Sequence, residues 1–226
     1  MKFKKFISKH TANIRYKLAS LIMKYLTPVL HDQIDMSTFT DHRAFLYKTD
    51  VIPIDLRPSF IFMKKRFDEK LLIGAEIGVE RGRNSKCILK ELNIEKLYLI
   101  DPWENYDEIE VNWSHMNNNY RHVQRIFEND KRVRIIKDLS ENAVNHIEKD
   151  SLDFVYIDGN HSYKYVYQDL ELWFNRVKEG GVIAGHDVFL NDGVLGGVLD
   201  AVKDFCYKNN IYFYVEHPDW YFKKKQ

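Results

Sequence analysis

Two short stretches of this 226-residue chain each bring an acid and a histidine to the end of an apolar run. In the first, Leu152 to His161 (LDFVYIDGNH), the run closes on Asp158, and His161 follows three residues later. In the second, Gly180 to Gly185 (GGVIAG) closes on His186 and Asp187. A carboxylate and an imidazole both accept protons, and an imidazole with its ordinary pKa of about 6.5 does so near neutral pH. The unbroken β-formers of Leu152 to Ile157 are the pattern of a strand buried on both faces of a parallel sheet. Ligands of open α/β sheets bind outside the carboxyl ends of the strands, so two strand ends that each deliver Asp and His describe one shared site.

Earlier strand ends carry groups of another kind. The first strand and its turn read GAEIGVERGRNS, Gly74 to Ser85. Glu76 lies near the strand end, Gly78 and Gly82 let the backbone approach a ligand, and a helix starts near Asn84 with its free N–H groups turned outward. The second strand, LYLID, ends at Asp101, about 20 residues past the glycine turn, where a carboxylate can accept both hydroxyls of a ribose. After the third strand come Asp138, Leu139 and Ser140, which offer an apolar seat for an adenine ring and polar groups for its edge. Each of these positions also reads as a helix cap or a turn acid. Three successive strand ends with nucleoside-compatible chemistry favour the ligand reading. The glycine spacing is not G-x-G-x-x-G, which counts against a dinucleotide pyrophosphate site.

The elements that must position these groups alternate from Leu71 onward. Strands are predicted at Leu72–Val79, Lys96–Asp101, Val133–Lys137, Leu152–Asp158, Val182–His186, Ile211–Glu216 and Trp220–Lys224. Helices are predicted near Asn84–Glu91, His115–Glu128, Glu141–Glu148, Tyr163–Val177 and Gly193–Tyr207. Such alternation predicts an α/β fold, a Rossmann-like doubly wound sheet of seven mostly parallel strands with an antiparallel last strand. Residues 1–70 are predicted as a helical extension and 71–226 as the domain. Within the extension, Pro58 to Glu69 reads as a helix. Phe3, Phe6, Ile7, Ile14, Leu18, Leu21, Ile22 and Tyr25 recur at helical spacing among lysines, which suits packing on the domain, a second subunit of a homo-oligomer, or an anionic membrane surface.

The net charge of +1 gives no overall field to draw nucleic acid. Cys87 and Cys206 have no metal or redox spacing and read as free thiols of a reducing compartment. No run reaches the roughly 18 apolar residues of a membrane span, and LASLIM is short for a signal peptide. The expected location is the cytoplasm, with a peripheral position at the inner membrane face open through the basic helix.

Taken together, Glu76-x-Gly78-x-x-x-Gly82, Asp101 with Pro102 and Trp103, Asp158-Gly159-x-His161-x-Tyr163 and Gly180-Gly181-x-x-x-x-His186-Asp187 resemble the class I S-adenosylmethionine-dependent methyltransferases. More narrowly, they are similar to the metal-dependent branch that includes macrolide-sugar and other small-molecule O-methyltransferases. The resemblance covers about Leu71 to Lys224. It implies a bound S-adenosylmethionine (SAM) held by Glu76, Gly78, Gly82, Ser85, Asp101, Trp103, Asp138, Leu139, Ser140 and Asp158. It also implies a divalent cation, usually Mg2+, on Asp158, His186 and Asp187, although His186 stands where an acid is common in the metal-using relatives. His161 is the expected general base and Asp158 its catalytic partner.

The long polar and aromatic stretch Trp103 to Asn119 is placed to cover the crevice, with Trp113, His115 and Tyr120 as candidate acceptor contacts or as packing residues. Val188 to Gly197 is a second candidate cover. The function expected is methyl transfer from SAM to a hydroxyl of a small molecule, a sugar or polyol such as a glycan sugar. The alternatives are a dinucleotide-dependent oxidoreductase and a non-catalytic nucleotide-binding or scaffold protein.

Overall fold

The structure, a computed structural model, describes residues 57–104, 116–188 and 197–225. The basic segment from Phe3 to Tyr25, Trp113, His115 and Gly193 fall outside these residues. Strands β1 (Leu72–Ile77), β2 (Ile94–Ile100), β3 (Val133–Ile136), β4 (Leu152–Ile157), β5 (Val177–Gly185), β6 (Phe213–Glu216) and β7 (Asp219–Lys223) form one seven-stranded sheet in the order β3-β2-β1-β4-β5-β7-β6. The first five strands run parallel, and β7 is antiparallel to both β5 and β6. The expected α/β fold with an antiparallel last strand is therefore the fold of the chain.

The helices are α1 (Pro58–Phe67), α2 (Arg83–Glu91), α3 (Met116–Phe127), the single turn α4 (Ser140–Ala143) with a 3-10 turn at Val144–His146, α5 (Tyr163–Phe174) and α6 (Val198–Lys208). All six residues of β4 are buried, as a central parallel strand requires. Its side chains alternate between two cores. Val155 and Ile157 face Val166, Leu170 and Trp173 of α5 and Ala201, Val202 and Phe205 of α6. Phe154 and Tyr156 face Phe60 and Met63 of α1 and Ile88 of α2. Helix α1 thus lies before the expected boundary at residue 70 and still packs into the core. Pro58 suits its first turn, where no N–H partner is needed, and Lys64, Lys65 and Arg66 suit the negative end of its dipole.

Two predicted boundaries differ for a physical reason. Strand β5 begins at Val177 rather than Val182, because Gly180 and Gly181 sit inside the strand as a bulge. Leu152 pairs with Val177 and Phe154 with Val182, so β5 spends five residues where β4 spends two. The helix expected over Glu141–Glu148 is only α4 and its 3-10 turn. At the opposite end of the sheet from the strand carboxyl ends, buried Asp153 accepts from Lys70 Nζ (2.8 Å), Lys178 Nζ (3.0 Å) and the Ile73 amide (2.9 Å). Neither cysteine is in a disulfide. Among the described residues, no helix is long and apolar enough to cross a membrane.

Candidate active site

The carboxyl ends of β1, β2 and β4 open onto one cavity of about 620 Å³, in the size range of small-molecule and cofactor sites. Of the ten residues expected to hold the cofactor, Glu76, Gly78, Asp101, Leu139, Ser140 and Asp158 line it. Gly82, Ser85, Trp103 and Asp138 are not among its lining residues: Gly82 starts α2 with φ at 72°, and the other three have structural tasks.

Glu76, the penultimate residue of β1, has no exposed surface. Its Oε1 accepts from Asn84 Nδ2 at 3.0 Å, and its other oxygen accepts from the Ser85 hydroxyl. Ser85 therefore acts through Glu76. Burial pushes the Glu76 carboxyl up to about 8, against the lowering effect of these two hydrogen bonds. Gly78 holds φ at 84°, and a Cβ there would sit 2.1 Å from the Asp158 carbonyl oxygen. The turn after β1 and the end of β4 touch backbone to backbone, and only glycine permits it. Gly78→Ala is expected to cost about 2–4 kcal/mol, summing a left-handed backbone penalty and an overpacked contact, and to weaken ligand binding in the cavity. Thermal unfolding with and without S-adenosylhomocysteine (SAH) measures both effects.

Asp101 serves as a bracket. Its Oδ2 accepts the amides of Val79 (3.0 Å) and Glu80 (2.9 Å), and its Oδ1 accepts the amide of Trp103 (2.7 Å). Burial raises its pKa, and the three amides oppose the shift. With three of roughly four acceptor directions taken, Asp101 has one left for a ligand, where the sequence suggested it could take both hydroxyls of a ribose. Trp103 is pulled away from the cavity. Its φ of 44° turns the ring into the core, where Nε1 donates to the Glu80 carbonyl at 2.8 Å and the ring meets Tyr120 at 5.0 Å. Tyr120 is accordingly a packing residue. Asp138 accepts from the Leu139 amide and Asn142 Nδ2, which fixes the loop after β3.

The Asp and His pairs do converge. His161 Nε2 lies 3.6 Å from Asp158 Oδ1 and 3.3 Å from Asp187 Oδ2, while His186 Nδ1 lies 2.9 Å from Asp187 Oδ1 and 3.8 Å from Asp158 Oδ1. One ligand atom from each of Asp158, His161 and Asp187 falls within 4.8 Å of the others, a spacing that can hold a cation. The histidine of that trio is His161, where the sequence suggested His186. The Nδ1 of His186 is committed to Asp187. Burial works against the charged form of His186, but the Asp187 hydrogen bond and the Asp158 charge win and raise its pKa. Asp187 is lowered for the complementary reason: burial opposes its ionisation, and His186 outweighs burial. Asp187 also holds φ at 55°, and Glu80 at 50°, so non-glycine strain gathers around the cavity.

Two further lining residues were not among those expected from the sequence. Asp169 of α5 is 6% exposed, accepts from the Ser140 hydroxyl, and is pushed up to about 7 by burial. Trp173 Nε1 donates to the same Ser140 oxygen at 2.8 Å. Arg57, one residue before α1, is 7% exposed. Its Nη1 meets Asp219 Oδ1 at 3.2 Å and the Tyr156 hydroxyl.

A nucleoside-sized crevice over the carboxyl ends of a 3-2-1-4-5-7-6 sheet, with an Asp and His cluster at its edge, defines a Rossmann-like methyltransferase fold. Residues 75–188, half of the chain, match the family model described as a methyltransferase domain, and the chain belongs to that family. Among solved structures it resembles the O-methyltransferase NovP (16% identity, TM-score 0.55, covering 74% of this chain and 80% of that one). It also resembles an rRNA methylase from Streptococcus thermophilus (14%, TM-score 0.53, 77% and 99%). A third is SMU.1697c of Streptococcus mutans, assigned as a methyltransferase and solved in complex with SAH (16%, TM-score 0.55, 74% and 98%). At such identities these likenesses carry the fold and leave the acceptor open. An uncharacterized protein of Acanthamoeba polyphaga mimivirus is 28% identical over 127 residues, 54% of this chain and 53% of that protein. The chain thus aligns with about half the length of that curated relative.

Proposed function

We propose that the protein transfers the methyl group of SAM to a hydroxyl of a small molecule, a sugar or polyol. The observation that carries this reading is one cavity with two chemistries. Glu76, Asp101, Leu139 and Ser140 line the part suited to an amino acid and a nucleoside, and Asp158, His161, His186 and Asp187 line the part suited to proton removal. Methyl transfer needs the acceptor oxygen in line with the sulfonium methyl, and holding the two together supplies much of the rate. It also needs the hydroxyl proton removed, which we assign to the His161 imidazole. The imidazolium so formed lies beside the carboxylates of Asp158 and Asp187, which stabilise it. The acceptor class rests on the polar lining of this end, whose acids and imidazoles suit a molecule with several hydroxyls.

The donor set also fits a divalent cation, through Asp158, Asp187 and His161. A cation there would acidify the acceptor hydroxyl and fix its direction. An imidazole in the set suits Mn2+, Fe2+ or Zn2+ better than Mg2+, which prefers oxygen ligands. The lone pair of His161 Nε2 can serve a metal or a proton, and when a metal takes it His186 is the imidazole left at the cavity wall.

Calorimetric titration with SAH tests the reading. Binding at one site per chain in the micromolar range, with no heat from NADH, is the expected result. Binding of NADH in place of SAH would return the oxidoreductase reading, and binding of neither by the folded protein would remove the enzymatic one.

A further inference from the structure

Arg57 stands outside the segment that matches the methyltransferase domain, yet it lines the same cavity as Glu76 and Asp158. Three cationic side chains of the described residues reach this lining, Arg57, Arg83 and Lys164, and Arg57 alone among them is buried. Its attachment is one-sided. Asp219, itself fully buried, accepts from Arg57 Nη1 on Oδ1, shares that oxygen with the Tyr156 hydroxyl at 3.0 Å, and accepts Ser59 on Oδ2. The hydrogen bonds of the described residues engage Nη1, while the buried Nε has no partner. A guanidinium held by one nitrogen keeps its Nε and Nη2 edge, the side that meets a carboxylate with two parallel N–H bonds. Arg57 is also close enough to Glu76, Asp158, His186 and Asp187 to act electrostatically on each.

An α-amino acid end on a ligand brings an ammonium and a carboxylate less than 4 Å apart. Glu76 and Asp158 suit the ammonium, but the carboxylate would face the same acids, and burying it beside them without a cation is costly. We propose that Arg57 binds the α-carboxylate of the cofactor's methionine end, opposite Glu76, so that the segment preceding the family domain completes the cofactor site. This rests on the SAM reading above.

The experiment compares SAH with its decarboxylated analogue, which keeps the adenosine, the sulfur and the amine, on the full-length chain by calorimetry. The wild-type chain should bind SAH roughly 10- to 100-fold more tightly than the analogue, the range of a charge-assisted bidentate pair. In Arg57→Gln the two ligands should bind within about threefold of each other, and Arg57→Lys should restore part of the preference, as a point charge without the fork would. Because Arg57→Gln leaves Asp219 without its cation and can fail to fold, the wild-type comparison stands by itself. Equal wild-type affinities for the two ligands overturn the proposal. So does an Arg57→Gln variant that weakens both ligands by the same factor, which marks a structural role. If the wild-type chain binds neither ligand, the SAM reading itself fails, and the role of Arg57 falls with it.

Discussion

Replacing His161 with alanine is expected to lower the methyl-transfer rate by about 10²- to 10⁴-fold, the range of a single general acid–base group, while leaving SAH affinity within a few-fold of wild type. The two readouts separate because His161 stands with Asp158 and Asp187, whereas the nucleoside is assigned to Asp101, Leu139 and Ser140. Methyl transfer from SAM to a panel of sugars and polyols, followed by product mass, supplies the rate. A chelator then decides how His161 works. If His161 is the base, the wild-type rate is indifferent to chelator. If Nε2 ligates a metal, chelation abolishes wild-type turnover, and added Mn2+ restores the wild type but not His161→Ala. An alanine variant with undiminished turnover would remove both roles at once.

The difference between these outcomes is one that the sequence could not settle, and His161 shows why. The apolar run ending in Asp158 and the pair His186-Asp187 were readable, because a buried parallel strand writes its own boundary in hydrophobicity. Which imidazole completes the cation-spaced trio with the two acids is decided by side-chain torsions and by the left-handed backbone at Asp187, where φ is 55°. Neither has a sequence pattern. The Trp103 reading failed for the same kind of reason, since a φ of 44° and an indole N–H bound to Glu80 draw the ring into the core. Asp169 stands three residues after Val166, on the same buried stripe as Leu170 and Trp173, so the helical period marks the position as core-facing but does not say what the acid meets there. Its partner Ser140 is 29 residues away. Arg57 is a single charge before a proline, in a segment read as an appendage, and its partner Asp219 is 162 residues distant. The alternation that defines the sheet is local information; the polar contacts that complete the site are not.

Glu76 carries the last prediction, in which the cost of an active site should be visible in the empty protein. Its carboxyl is moved by burial from an ordinary 4.5 to about 8 in the folded chain. Between these values the folded state holds a proton that the unfolded state has released, so the unfolded state binds fewer protons and stability falls as pH rises through this window. The fall amounts to on the order of 5 kcal/mol when complete near pH 8, and nothing further is lost from Glu76 above it. Asp169 adds a fall of the same sign that ends near its own value of about 7. Glu76→Gln removes only the first contribution, so the variant should gain on the wild type steadily from pH 5 to pH 8. Between pH 7 and 8 that growing difference belongs to Glu76, whose two neutral partners, Asn84 and Ser85, can hydrogen-bond an amide as well. Urea unfolding of both proteins at pH 5, 7 and 8 reads the difference directly, and parallel curves across that range would refute the assignment. The same substitution should weaken SAH by about 10- to 100-fold at pH 8, where an ionised Glu76 would otherwise meet the ligand's ammonium. At pH 7 that meeting requires Glu76 to give up its proton, so wild-type binding should release close to one proton per site, seen as a dependence of the calorimetric heat on buffer ionisation enthalpy. A buried acid kept neutral until a cationic ligand arrives trades stability of the empty fold for selectivity, and loss of that coupling in Glu76→Gln would show both sides of the exchange in one variant.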